Sequence, residues 1–184
     1  MDAVSYMLYK GFGEEATDTK DPANVREESL YFLKELVGRM KARHPKLLMI
    51  AEESEDFPGL TAPRESGGVG FDRKWNMGWM HDTLKYMEMD PIYRKYHHDA
   101  LTFPMVYAFN ERYILPFSHD EVVHGKKSML NKMYGSYEEK FAQLRLLYLY
   151  MVAQPGEKLL FMGQEFGQFK EWVDHEELEW FLLN

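Results

Sequence analysis

Four short runs that read as strands, at least three of them closing on polar or charged residues and all separated by helical patterns or loops, constrain this chain more than any other feature. They are "KLLMIAEE" (Lys46 to Glu53), "FDRKWNM" (Phe71 to Met77), "YILPFS" (Tyr113 to Ser118) and "KLLFMGQEFG" (Lys158 to Gly167). A short apolar run with little alternation reads as a strand buried on both faces, the pattern of a parallel sheet covered by helices. The helical patterns between them are well marked. Asp21-Pro22 predicts a capped start for a helix carrying Leu30, Leu33, Leu36, Val37 and Met40 and ending near Arg43. Further helical spacing covers Asp82 to Met89 and Ala100 to Phe109. Ser136 with Glu139 forms a capping box ahead of Phe141, Leu144, Leu147, Tyr148 and Met151, and Pro155-Gly156 stops that helix. Residues 54–70, rich in Gly, Pro, Ser and acids, read as a long surface loop.

The fold class is therefore α/β, and polar clusters recur at the C-terminal ends of the runs, where parallel α/β folds bind ligands and (β/α) barrels carry their active sites. A complete barrel takes roughly 250 residues. Here 184 residues supply about four strand-helix units, which predicts part of one barrel domain. The 45% apolar and 15% aromatic content is ample for a core. A net charge of −8 argues against non-specific nucleic-acid binding, which needs clustered Lys and Arg. The absence of cysteine excludes disulfides and thiolate metal sites, and no apolar run is long enough to span a bilayer. A cytoplasmic protein without membrane or nucleic-acid partners is expected; the oligomeric state is not fixed by the sequence.

Three carboxylate positions stand at or near predicted strand ends: Asp2, Glu52 with Glu53, and Asp120 with Glu121. Retaining glycosidic chemistry needs a nucleophilic carboxylate and a carboxylic acid about 5 to 5.5 Å apart, which adjacent strand ends can supply. Acids at helix starts also serve simply to meet the positive end of the helix dipole. His119 and His124, flanking Asp120 and Glu121, raise the alternative of a metal-dependent phosphohydrolase, but His44, His81, His97 and His98 lack convincing ligand spacing. Trp75 and Trp79 could stack on the apolar faces of sugars or pack in the core. Gly67, Gly68 and Gly70 lack the Lys and Ser or Thr of a phosphate-binding loop.

Taken together, the motifs resemble those of the glycogen (1,4-α-glucan) branching enzymes of the α-amylase superfamily. "DAVSYMLY" (Asp2 to Tyr9) resembles the nucleophile segment at barrel strand 4, "IAEESEDFPG" (Ile50 to Gly59) the acid/base segment after strand 5, and "FDRKWNMGWMHDTLKYM" the segment around strand 6. "LPFSHDEVVHGK" resembles the strand 7 segment and "FMGQEFGQ" that of strand 8, all in family order. The resemblance implies a partial TIM (β/α)8 barrel, roughly strands 4 or 5 to 8 with their helices. It implies Asp2 as nucleophile, Glu52 as general acid/base and Asp120 as the transition-state stabiliser, with His119, Trp75 and Trp79 binding substrate. The implied activity is hexosyl transfer from an α-1,4-glucan such as glycogen or amylose to a 6-hydroxyl, without metal or other cofactor.

The resemblance implies Glu52 rather than Glu53 because the family's catalytic glutamate directly follows a small residue, here Ala51, and strand alternation supports choosing only one of the two, since adjacent residues face opposite ways. The family's arginine two residues before the nucleophile, the first barrel strands and the flanking β-rich domains have no counterpart in these 184 residues. The expectation is thus a fragment covering about the C-terminal half of the catalytic barrel, with little or no branching activity alone. Two alternatives accompany it: an α-glucan hydrolase or debranching enzyme with the same carboxylates, and a non-catalytic glucan-binding module.

Overall fold

The computed structural model describes residues 1–12 and 18–184, which fall into two compact units. The first comprises Met1–Met77 with Tyr107–Ile114, the second Gly78–Val106 with Leu115–Asn184.

In the first unit, helix α1 (Val4–Leu8) and helix α2 (Glu27–Arg43) precede strands β1 (Ile50–Ala51) and β2 (Arg73–Trp75), and β3 (Tyr113–Phe117) begins there. The pairings are parallel. Ala51 lies opposite Lys74, and Lys74 in turn opposite Tyr113, so the strands run in sequence order. Asp21 accepts a hydrogen bond from the Ala23 N–H, but what it caps is a 3-10 turn over Pro22–Asn24; the long helix starts only at Glu27. Leu33 and Val37 turn the buried stripe of α2 onto Val4, Leu8, Ala51, Leu60 and Phe71. Of the whole "KLLMIAEE" run only Ile50 and Ala51 are regular strand, because Met49 N–H is taken by the Asp72 carboxylate.

The middle of the loop over residues 54–70 is gathered by a buried acid. Glu111 accepts hydrogen bonds from the N–H groups of Gly59 (2.6 Å), Leu60 (3.0 Å) and Thr61 (2.8 Å) and from the Thr61 hydroxyl. Its glycines answer to backbone geometry rather than to a ligand. Gly67 and Gly70 have φ of +91° and +96°, and a Cβ on Gly68 would lie 2.2 Å from the Ala62 carbonyl oxygen.

The second unit holds most of helix α3 (Met77–Glu88), the short helices α4 (Pro91–Arg94), α5 (Asp99–Thr102), α6 (Pro104–Tyr107, in part) and α7 (Met129–Lys132), helix α8 (Tyr137–Ala153) and strand β4 (Glu157–Leu160). Two short helices thus replace the single helix expected over Ala100 to Phe109. The capping box at Ser136 and Glu139 is formed, and Leu144, Leu147 and Met151 are the buried stripe of α8. The end of β3 neighbours β4, with Phe161 N–H donating to the Phe117 carbonyl at 2.9 Å. Trp79, Met80, Leu84 and Met87 bury the inner face of α3. No helix among the described residues is long and apolar enough to cross a membrane.

Candidate active site

The start of the chain adds a further rung beside β1. Met1 nitrogen donates to the Ile50 carbonyl at 2.7 Å and the Glu52 N–H donates to the Met1 carbonyl at 2.9 Å, the hydrogen-bond pattern of a parallel pair with Met1 opposite Ala51. Asp2 and Glu52 are the next residues on the two chains. Chains paired in this way lie about 4.7 to 4.9 Å apart, and residues level with one another share a face. The backbone then turns sharply. Ala3 sits in the left-handed region at φ 51°, ψ 41°, its N–H donates to Glu52 Oε2 at 2.7 Å, and Val4 N–H donates to the Glu52 carbonyl at 3.0 Å. A non-glycine residue in that region costs about 1 to 2 kcal/mol, and such strain clusters at functional sites. Asp2 is exposed and Glu52 half-buried.

Glu53 has a different occupation. It is 2% exposed, receives the Lys74 ammonium on Oε2 at 2.5 Å, and accepts from the Ser5 hydroxyl and the Glu55 N–H on Oε1, both at 2.9 Å. Lys74 also donates to the Glu55 carbonyl at 2.6 Å. With both charges buried, this pair is committed to structure. It also acts on its surroundings: burial, and after it the negative charge of Glu53, pushes the Tyr9 hydroxyl well above its ordinary pKa. Trp75, on β2, is half-buried.

In the second unit, His119 and Asp120 open a 3-10 turn (His119–Glu121) directly after β3. Ser118 and Glu121 box its start: Glu121 Oε2 accepts from the Ser118 N–H at 2.5 Å and from the Ser118 hydroxyl at 2.8 Å, while Ser118 Oγ accepts from the Asp120 N–H at 3.2 Å. Glu121 is therefore buried as a cap, leaving His119 and Asp120 about half exposed, with His119 Nε2 3.4 Å from Asp120 Oδ1. His124 is fully exposed and lies 3.6 Å from Glu171. Glu171 accepts from the N–H groups of Gly125 and Lys127, which together with the nearby His124 hold its carboxyl below the ordinary range. Among the described residues no group of three or more His, Cys, Asp or Glu is placed to hold a metal ion.

Trp79 requires a correction. Only 1% exposed, its ring packs 5.1 Å from Phe117 and stacks on Tyr150, so it is core rather than a sugar platform. The aromatic residues that do meet a candidate site residue are Phe161 and Trp172, whose ring centroids lie 5.9 and 6.2 Å from that of His119 and 5.0 Å from each other. The Trp172 N–H also donates to the Val122 carbonyl at 2.8 Å. Nothing in local spacing pointed to Trp172, since its partners come from two other segments.

The fold is that of part of an α-amylase barrel. It matches the alpha-amylase from H. orenii with a TM-score of 0.54 at 14% identity, over 89% of this chain and 34% of that one, and the alpha-amylase from Lactobacillus plantarum with 0.50 at 17%, over 92% and 47%. Along its whole length the sequence matches a segment of the 1,4-alpha-glucan branching enzymes: it is 55% identical over 184 residues to that of Geobacillus stearothermophilus, 56% over 184 to that of Bacillus caldolyticus, and 54% over 187 to that of Halothermothrix orenii. The chain spans 27 to 30% of the length of these relatives. No protein-family model matches it.

Proposed function

We propose that these residues form part of one catalytic barrel and carry the three carboxylates of a 1,4-α-glucan branching enzyme. The observation that carries this reading is the Met1–Ala51 rung, which puts Asp2 and Glu52 one step beyond a parallel pairing. A strand spacing of about 4.7 to 4.9 Å suits the carboxyl separation of about 5 to 5.5 Å used for retention. Asp2 attacks the anomeric carbon of an α-1,4-linked glucosyl unit while Glu52 protonates the departing oxygen, giving a covalent glycosyl-enzyme. Glu52, now a carboxylate, takes the proton from the 6-hydroxyl of an acceptor glucan, which attacks that carbon, releases Asp2 and forms the α-1,6 branch. Asp120 opposes the positive charge on the ring in both steps, and His119 contacts a substrate hydroxyl. Trp75 lines the substrate path; no cofactor takes part, and the cytoplasm is the expected compartment.

The test is made on the protein in the longest form its coding sequence specifies. Incubation with amylose is expected to create α-1,6 linkages, read by proton NMR, and Asp2→Asn or Glu52→Gln to lower the rate by about 10² to 10⁴. A fluorinated glucosyl donor is expected to label the peptide that contains Asp2. New reducing ends without α-1,6 linkages would instead establish a hydrolase. The 184 residues alone are expected to branch amylose little, because β4 leaves Leu160 and the following Met162 exposed at the end of the sheet.

A further inference from the structure

Helix α1 buries Val4, Ser5 and Leu8, and of these only Ser5 is polar. A hydroxyl taken out of water costs stability unless it is hydrogen-bonded, and alanine in its place would be both apolar and the better helix former. The Ser5 hydroxyl is fully bonded. It donates to Glu53 Oε1 at 2.9 Å and accepts from the Ser54 N–H at 3.1 Å, with the Ser54 hydroxyl 3.2 Å away. Since its one hydrogen goes to Glu53, the Ser54 hydroxyl is the donor in the last contact.

Glu53 is the fixed end of this link. Lys74 holds its Oε2 at 2.5 Å, the Glu55 N–H holds its Oε1 at 2.9 Å, and Lys74 also reaches the Glu55 carbonyl at 2.6 Å. These bonds lie within the segment after β1 or join it to β2, so the carboxylate keeps its place without Ser5. Lys74 is set in turn by its pairing opposite Ala51. The end that needs placing is α1. With 5 residues it is barely more than one turn, and Asp2 lies two residues before it. Apolar contacts are non-directional and let so short a helix slide or rotate, whereas a hydrogen bond of defined angle does not.

We infer that Glu53 is a positioning residue for the nucleophile, acting through the Ser5 hydroxyl to set where Asp2 stands relative to Glu52. The inference rests on the branching reading and adds to it how carboxylates on two distant segments are kept in register. The glutamate that takes no part in the chemistry thus holds both that do: Glu52 as its neighbour along the chain, Asp2 across the Ser5 bond.

The test uses the same long form of the protein. Ser5→Ala cuts the link and leaves Glu53 with Lys74, while Ser5→Cys keeps the volume and offers a weaker donor. Because misplacing a reacting group by about 1 Å can cost about 10²-fold, kcat on amylose is expected to fall about 10- to 10²-fold in Ser5→Ala, and less in Ser5→Cys, at unchanged KM. Labelling of Asp2 by the fluorinated donor should slow in the same proportion. Ser54→Ala removes a neighbouring hydroxyl without cutting the Glu53–Ser5 bond and is expected to leave kcat close to wild type. Near-UV circular dichroism shows which variants are folded, and if Ser5→Ala is not, Ser5→Cys is judged by the same criteria. An unchanged kcat in a folded Ser5 variant, a loss confined to KM, or an equal loss in Ser54→Ala overturns the positioning role and leaves the branching reading standing. Wild-type protein that forms no α-1,6 linkages overturns the branching reading and this inference with it.

Discussion

Glu52 and Glu53 are neighbours with the same side chain, yet the structure predicts opposite consequences for losing them. Glu53→Ala removes the carboxylate facing Lys74, whose side chain is 4% exposed, and leaves an ammonium group in the interior. Removing one partner of a buried ion pair costs about 3 to 5 kcal/mol. The Glu55 N–H also loses its acceptor, about 1 kcal/mol, while the Ser5 hydroxyl keeps Ser54 at 3.2 Å. The expected loss is therefore about 4 to 6 kcal/mol, or about 10 to 20 °C in melting temperature for a chain of this size. Glu52→Gln keeps shape at a half-buried position and is expected to cost under about 1 kcal/mol. Urea denaturation followed by near-UV circular dichroism measures both. The pair Glu53→Met with Lys74→Met should recover much of the single variant's loss, since it leaves no charge behind. Equal costs for Glu53→Ala and Glu52→Gln, or no recovery in the double variant, would refute the division of labour drawn between the two glutamates.

Asp72 offers a pH test. Burial by itself would raise its pKa, but the Lys41 ammonium at 2.7 Å and the Met49 N–H outweigh it and hold the carboxyl below the ordinary aspartate value. A depressed native pKa gives stability that is complete above about pH 5 and lost as pH falls through the native value, so the gap between wild type and Asp72→Asn in urea should shrink from pH 7 to pH 3. A gap that stays constant would show that the charge is not what matters. Gly68→Ala should cost about 1 to 3 kcal/mol because its Cβ meets backbone at Ala62, and a melting temperature equal to wild type would mean the loop yields freely.

Much of the architecture was legible because it rests on local pattern. Each of the four apolar runs contains a strand, and Ser136 with Glu139 starts its helix as the capping box predicts. The misjudged elements depended on distant partners. β1 starts only at Ile50, where the Met49 N–H just before it is claimed by Asp72, the residue before β2. Asp21 and Pro22 are a sound capping pair, but their turn closes after one cycle of 3-10 geometry and the helix restarts at Glu27. Trp79 was legible in principle, since Trp79, Thr83 and Met87 fall four apart and all are buried. At the candidate site, strand alternation indicated that Glu52 and Glu53 face opposite ways, and of the two Glu53 is the buried one. What makes Glu53 structural, Lys74, lies 21 residues away and left no local trace.

The hydrogen bond from the Ala3 N–H to Glu52 Oε2 at 2.7 Å couples that carboxyl to the left-handed turn that follows Asp2. The Val4 N–H, one residue further on, holds the carbonyl of the same glutamate at 3.0 Å. Both the main chain and the side chain of Glu52 thus answer to the path of three residues centred 49 positions earlier, so a substitution that relaxes the turn reaches Glu52 without touching it.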